Sequence, residues 1–308
     1  LLQAAEESGA NYLFEASVGG GIPIIRPLCQ CLAANYIEGI AGILNGTTNF
    51  ILTMMIEKGM SFDEALKIAQ EKGYAEKDPT ADVEGYDACR KVCILASLAF
   101  GKHVYPNQVE TEGITNITLE DVSYIENAGG VIKLLGQIKY INDNEIAAFV
   151  SPAVVYNGSQ LASVKDVFNA ILVRGDAVGD VCFYGPGAGK LPTASAVVAD
   201  IIDCAKHSER KKIFGWCAGA EDYVVDYKER IEMPFYVRAK ATPAEINAKF
   251  SDVKFLSRKG QPSDEVAFIT DIMTENKLNK KLDGINVINT IKAVSYTHLR
   301  AHETAANL

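Results

Sequence analysis

The sequence predicts an α+β protein: an open mixed β-sheet with helices on one face, followed by a small α+β unit of mostly β pattern. Three observations carry this. Helical and strand-like runs are intermingled instead of alternating strictly as βαβ units. From Val131 the apolar pattern shifts from helical spacing to hairpins. The length, 308 residues, suits about two domains. With 48% hydrophobic and 22% charged residues, the chain is not a disordered one. No stretch approaches ~18 consecutive apolar residues, which excludes a spanning helix. The formal charge of −9 argues against a general binder of phosphate backbones. Seven cysteines form neither a CxxC pair nor a secreted disulfide framework. No signal-peptide pattern opens the chain, so the expected compartment is the reducing cytoplasm.

The elements follow in order. The chain starts at Leu1, not Met, inside a helical pattern running to Ser8, which sets the expectation of a fragment cut short upstream. Leu13 to Ala16 reads as a short strand, and Ser17 to Pro23, with Gly19, Gly20 and Gly21 adjacent, as a loop. Pro23 suits the first turn of a helix reaching about Ile37. Gly39 to Leu44 is a strand, and Asn45-Gly46-Thr47-Thr48-Asn49 a turn or helix cap. Ser61 with Glu64 makes a capping box, and Gly73 ends the helix that follows. A loop from Tyr74 to Asp82 leads into a second long helix through Ala99, with Gly101 beyond it.

Ile138 to Tyr140 and Ile146 to Val150, around Asn142-Asp143-Asn144, read as a hairpin, and Ala153 to Tyr156 as a further strand. Val167 to Val173 and Val181 to Tyr184 are β-rich. The glycine loop Gly185 to Gly189 precedes a helix from Pro192 to about Ala205. Charged stretches (207–212 and 221–230) mark a boundary. After it come Phe235 to Ala239, Val253 to Ser257, Val266 to Asp271, a helix near Asn276 to Leu282, and Ile285 to Ile291. That order resembles an ACT module, a ferredoxin-like βαββαβ fold.

Glu76, Asp78 and Asp82 lie on a loop or at a helix N-terminus, where negative charge is favourable. Asp87 and Lys91 are one turn apart, so they share a helix face. Such a pair is either an exposed ion pair worth ~0.3–0.5 kcal/mol or, beside apolar surface, a lysine able to give and take a proton. Spacing alone leaves both open. The loop Gly185 to Gly189 lacks the GxGxxG spacing of a dinucleotide fingerprint. His298 and His302 are four apart, a spacing that can hold a metal. They lack a third ligand and lie in Ser295 to Thr304, which looks like translated sequencing-adaptor sequence.

The run from Ala69 to Lys91 resembles the signature of the homoserine dehydrogenases: Ala69-xxx-Gly73, the aromatic Tyr74, the small Ala75, Asp78-Pro79-xx-Asp82, the aliphatic Val83, then Gly85-x-Asp87-xxx-Lys91. Further matches are Phe14 to Ile25, Gly42 to Ile51, and Gly175 to Gly179 leading to Gly185 to Gly189. Together they extend from Leu1 to about Ala205. The resemblance implies reversible oxidation of L-homoserine to L-aspartate 4-semialdehyde with NAD or NADP, a step towards threonine, methionine and isoleucine. It assigns proton transfer to Lys91, with Asp87 orienting it. It assigns the substrate's ammonium group to Glu76 with Asp82 nearby, and donor groups to Gly46 and Thr47. Gly189 and Gly187 would touch the cofactor. A monovalent cation, Na⁺, would be held by the Glu15 side chain and the carbonyls of Val18, Gly20 and Ile22; oxygen-only ligation suits a hard cation. The resemblance also implies a homodimer in which sheets pair across a two-fold axis.

The sequence departs from the family in two places. The Rossmann domain with which the family begins is not in it, nor is the lysine that precedes the catalytic region in that family. The expectation is a fragment that binds NAD(P)⁺ weakly and turns over negligibly by itself. Between Lys240 and Ser251 the usual effector loop, first helix and second strand are compressed, so a degenerate ACT-like unit is expected. The expected divisions are 1–227 (catalytic, substrate-binding and dimerisation), 228–294 (ACT-like) and 295–308 (non-native tail). Two other functions stay open: a related NAD(P)-dependent semialdehyde or amino-acid dehydrogenase, and a non-catalytic amino-acid sensor.

Overall fold

The computed structural model describes residues 2–207 and 215–294. Its first half runs α1 (Leu2–Ser8), β1 (Ile37–Ile43), α2 (Gly46–Lys58), α3 (Phe62–Glu71), α4 (Thr80–Val83), α5 (Tyr86–Phe100), β2 (Glu110–Thr111) and α6 (Leu119–Asn127). A long hairpin, β3 (Gly130–Asn142) and β4 (Glu145–Tyr156), is followed by β5 (Phe168–Gly175), β6 (Gly179–Pro186) and α7 (Lys190–Lys206). The C-terminal unit holds α8 (Tyr227–Arg230), β7 (Glu232–Met233), β8 (Phe235–Lys240), α9 (Pro243–Lys249), β9 (Val253–Leu256), β10 (Glu265–Thr270), β11 (Met273–Thr274), α10 (Glu275–Leu282) and β12 (Asn286–Val294).

The expected α+β architecture is what forms, but the sheet is larger than either predicted piece. Ten strands join in the order β6-β5-β1-β3-β4-β12-β8-β10-β9, with β2 also on β4. Neighbours are antiparallel except β12 and β2, which both run parallel to β4. The segment β12-β8-β10-β9 has ferredoxin-like strand order, and its edge strand β12 joins β4 directly at Ala153, Val154 and Val155. A second connection comes from α6. Its Asp121, fully buried, accepts from the Tyr236 hydroxyl and Arg238 Nη1, each at 2.9 Å, and from Asn289 Nδ2 at 2.9 Å. A carboxylate this deep is tolerated only with such partners.

Local chemistry places the helices. Asn45 caps α2, accepting from the Thr48 amide at 2.9 Å. The Ser61–Glu64 capping box opens α3, and Thr118–Asp121 opens α6 in the same way. The apolar sides of α2, α3, α5 and α6 pack on one sheet face around Ile51, Leu95, Ile125 and Ile138. On the other face, Leu161 and Val164 cover Ala41, Leu135 and Leu172. Gly136 of β3 sets the approach of α5. A Cβ there would lie 2.5 Å from Val92 Cγ2 and 2.8 Å from Leu44 Cδ1, so only the bare backbone lets α5 settle close to the end of β1.

Several local expectations are corrected. Residues 13–16 do not form a strand; Glu15–Ser17 is a 3-10 turn. The Glu15 amide donates to Asp200 Oδ2 at 2.8 Å, a side-chain partner where a strand would need a neighbouring backbone. The helix expected from Pro23 to Ile37 is much shorter, with a π-helical turn at Pro27–Cys31 that ends at Leu32. Ala153–Tyr156 is the continuation of β4, because Gly130–Leu135 keeps pairing with it. In the compressed segment after Lys240, a helix and a strand do form, α9 and β9, the helix opened by a Thr242–Glu245 capping box. His298, His302 and the tail 295–308 lie outside the described residues.

Candidate active site

The site is assembled where β1 ends. Asn45 is extended (φ −129°, ψ 118°), which turns its side chain across the first turn of α2. While its Oδ1 caps the helix, its Nδ2 donates to Asp82 Oδ1 at 2.7 Å and to Asp87 Oδ2 at 2.9 Å. One amide thus holds two carboxylates from different elements, α4 and α5.

Lys91 follows Asp87 by one turn on α5. Its Nζ donates to Asp87 Oδ2 at 2.7 Å and to the Leu44 carbonyl at 2.8 Å. The side chains are 19% and 30% exposed, so this pair is neither the freely solvated ion pair of a helix surface nor a desolvated one. An ammonium has three N–H donors; two are engaged here, and the third remains for an incoming oxygen. The cluster carries two carboxylates against one ammonium, which suits a ligand bearing its own cationic group. Burial pushes the Asp82 carboxyl above its ordinary value; the Asn45 hydrogen bond opposes this, the Asp87 charge adds to it, and Lys91 opposes it.

Not every expected residue joins this cluster. Thr47 is close by and donates to the Tyr74 carbonyl at 2.7 Å, fastening α2 to the loop that carries Glu76. Gly46 begins α2 beside Asn45. Glu76 itself is exposed, and among the described residues its carboxylate makes no bond to Asp82, Asp87 or Lys91.

The two glycine loops interlock. Gly21 N donates to the Pro186 carbonyl at 3.1 Å. A Cβ on Gly20 would sit 2.2 Å from the Gly187 oxygen, and one on Gly187 would sit 2.2 Å from the Asn169 side chain. Gly187 is therefore buried against Asn169 and shapes the loop, whereas Gly189 is exposed and caps the N-terminus of α7 with φ 122°.

The Glu15 carboxylate, expected in the cation site, is tied into the backbone. Its Oε1 accepts from the amides of Ile24 (2.6 Å) and Ile25 (2.7 Å), and its Oε2 from that of Arg26 (2.9 Å). The carboxylate caps a helical turn. The backbone hydrogen bonds of residues 14–22 end on the carbonyls of Phe14, Gly19 and Pro186; those of Val18, Gly20 and Ile22 accept none of them. Among the described residues no three His, Cys, Asp or Glu side chains gather as a metal cluster.

One turn beyond Lys91, Ile94 lines a cavity of about 570 Å³, with Ser17, Phe14, His103, Tyr105 and Trp216 on its walls. Trp216 packs edge-on to Phe14 with ring centroids 6.3 Å apart, and its Nε1 donates to His103 Nδ1. The sequence reading had no place for Leu44 as a partner of Lys91, nor for the Asn45 side chain as a partner of Asp82 and Asp87. The signal for Asn45 was available in its helix-cap position; a backbone carbonyl such as Leu44 leaves none.

Comparison with known proteins follows the same residues. The family profile for homoserine dehydrogenase matches residues 23–202. The chain is 50% identical over 206 residues to a homoserine dehydrogenase of Synechocystis sp., covering 66% of this chain and 48% of that one. It therefore spans about half the length of that relative. The solved structure of a homoserine dehydrogenase from Thiobacillus denitrificans superposes with a TM-score of 0.83 at 37% identity, over 95% of this chain and 72% of that one. A hyperthermophilic archaeal homoserine dehydrogenase mutant, solved in complex with NADPH, superposes at 0.56 with 31% identity, over 67% of this chain and 59% of that one. Among the described residues, no helix is long and apolar enough to cross a membrane.

Proposed function

This chain belongs to the homoserine dehydrogenase family, and we propose that it supplies the substrate-binding and proton-transfer side of the NAD(P)-dependent interconversion of L-homoserine and L-aspartate 4-semialdehyde. The observation that carries the reading is the Lys91 ammonium held between Asp87 and the Leu44 carbonyl with one N–H left over. When bound, NAD(P) supplies the hydride acceptor or donor. In reduction the remaining N–H of the Lys91 ammonium gives its proton to the carbonyl oxygen and leaves a neutral amine; in oxidation that neutral amine, its two N–H groups still on Asp87 and Leu44, takes the substrate hydroxyl proton on its lone pair. Asp87 and Leu44 fix the direction of that transfer by occupying the other two donors. Asp82 and Asp87, with Glu76 from the neighbouring loop, offer negative charge to the substrate's ammonium group. The first-turn amides of α2, at Gly46 and Thr47, offer donors to its carboxylate.

Cofactor contact in this reading falls to Gly189, at the exposed start of α7, while Gly187 shapes the loop behind it. The NADPH bound in the archaeal relative supports a nicotinamide cofactor here. The monovalent-cation site in this reading is the Glu15 side chain with the carbonyls of Val18, Gly20 and Ile22, a hard-oxygen set, and three amides hold the Glu15 carboxylate in place. Residues 228–294 are assigned a packing role in this reading; thermal shift with L-threonine tests it, no shift being the expected result and a clear shift overturning it. The homodimer is carried by relatedness alone, and light scattering tests it.

The test of the main reading follows NAD(P)H absorbance with L-homoserine for this chain fused behind the dinucleotide-binding domain of a relative; the chain by itself is expected to turn over negligibly. Homoserine-dependent reduction that falls by orders of magnitude in Lys91→Ala is the expected result. A folded, cofactor-binding fusion without homoserine turnover overturns it and favours an amino-acid sensor.

A further inference from the structure

Lys133 lies within β3 in an apolar run, Val131-Ile132-Lys133-Leu134-Leu135, and only 2% of it is exposed. A buried amine needs acceptors. Lys133 has two, Asn49 Oδ1 at 3.0 Å and the Val164 carbonyl. Two acceptors match the two N–H groups of a neutral amine. Burial accordingly pushes its pKa down to about 8, with Lys165 acting in the same direction and Glu57 and Asp166 opposing.

Asn49 passes this contact on. Because Lys133 donates to Oδ1, the amide of Asn49 is oriented with Nδ2 outward. There it donates to the carbonyls of Val164 (3.3 Å), Asp166 (2.9 Å) and Phe168 (3.2 Å). One turn later, Thr53 donates to the Asn49 carbonyl at 2.7 Å and accepts from the Asp166 amide at 3.1 Å. Asp166 itself has a left-handed φ of 54°, a strained conformation this network holds. On the same side of α2, a Cβ on Gly46 would lie 2.8 Å from the Val167 oxygen. Gly46, Asn49 and Thr53 therefore form a stripe against which residues 164–168 lie. One turn before Asn49 are Asn45 and Leu44, the groups that hold Lys91 and Asp87.

We propose that Lys133 is a positioning residue for Lys91: through Asn49 and the 164–168 segment, its buried amine sets where the first turn of α2 lies, and with it the Leu44 carbonyl and the Asn45 amide. Its meaning for catalysis rests on the reading of Lys91 given above, but the coupling is measurable without turnover. Replacing Lys133 by Met keeps the unbranched side chain up to its Cε and removes both hydrogen bonds. The first turn of α2 then loses its anchor, and Lys91 spends more time away from Leu44 and Asp87.

The test is acetylation of the whole 308-residue chain by acetic anhydride, with each lysine's rate read by mass spectrometry. Lys292, 5% exposed in the C-terminal unit, is the internal standard. In Lys133→Met, Lys91 is expected to react several-fold faster while Lys292 is unchanged. Asn49→Ala, which keeps the amine and removes the relay, gives the same selective rise, and the effects of the two substitutions are not additive. Equal acceleration of Lys91 and Lys292 would mean general loosening and overturn the proposal, as would an unchanged Lys91 in either folded variant. In the fused enzyme, both variants lower kcat with little change in KM for homoserine. Failure of homoserine turnover in the parent fusion would remove the catalytic reading while leaving the acetylation result standing.

Discussion

Asn45 and Asp87 stand 42 residues apart in sequence, yet Asn45 Nδ2 donates at 2.9 Å to the same Asp87 oxygen that accepts from Lys91. The amide is a neutral spacer between two carboxylates that would otherwise repel each other with only one ammonium to share. Removing it acts on three groups at once.

Asn45→Ala is therefore expected to affect both stability and turnover. Loss of the cap on α2 costs about 1 kcal/mol. Asp82, already raised chiefly by burial, loses the hydrogen bond that holds it down. A carboxyl whose folded pKa lies above its unfolded value makes folding less favourable as pH rises through that window. The variant should thus gain stability on acidification over a wider range than wild type, and Asp82→Asn should abolish the difference. Thermal melts from pH 4 to 7 measure this, and an unchanged slope in Asn45→Ala would contradict it.

The interlocked glycines make a second expectation. Gly187→Ala drives a methyl group into Asn169, and Gly20→Ala drives one into the Gly187 backbone from a left-handed φ of 56°. Each should destabilise by roughly 2 kcal/mol or more. Gly59→Ala is the control, with a similar φ of 62° and nothing within 4 Å of the added methyl; its cost is about 1 kcal/mol. Urea unfolding of the three variants separates crowding from backbone strain.

Asp121→Ala takes the acceptor from the Tyr236 hydroxyl and leaves Arg238 with only its longer carboxylate contacts, to Glu265 (3.7 Å) and Glu120 (3.9 Å). Removing one member of a buried charge network typically costs about 3–5 kcal/mol. The urea midpoint should fall accordingly with the slope preserved. A loss below about 1 kcal/mol would mean that α6 and the C-terminal strands are held by apolar packing alone.

Lys133 has a pH signature of its own. Its folded pKa, about 8, lies below the ordinary 10.5. Between those values the unfolded chain holds a proton that the folded chain has released, so stability rises with pH across that window. The full cost of the buried charge, up to about 3 kcal/mol, is present below about pH 8. Lys165, Glu57 and Asp166 are the charged groups acting on it. The stability of Lys133→Met relative to wild type should decline steadily from pH 8 to 10. A constant difference would place the proton elsewhere.

Much of the architecture was legible because it is written in local rules. The caps at Asn45 and Ser61, and the helix through Asp87 and Lys91, follow from side-chain chemistry within a few residues. What escaped was non-local. Residues 13–16 have the apolar pattern of a strand, but Asp200, from α7, claims the Glu15 amide. The joining of β12 to β4 involves positions whose alternation fits many partners, so no spacing announces it. The site divides in the same way: the Asp87–Lys91 face was visible at helical spacing, whereas the Leu44 carbonyl was not. Lys133 was visible as a lysine amid apolar neighbours, but its partner Asn49 lies 84 residues away.

The pairing of β12 with β4 also imposes an order on biosynthesis. The edge of β4 at Ala153–Val155 is filled by Lys292–Val294, which leave the ribosome about 140 residues later, a long-range closure of the kind that slows folding. Until then the nascent chain presents an open, apolar strand edge in the middle of what will become its sheet. Emergence of residues 286–294, and not the completion of the helical layer, is thus the event that seals the sheet. A stop shortly before residue 286 would leave a protein with its helical core assembled and a template for aggregation exposed along β4.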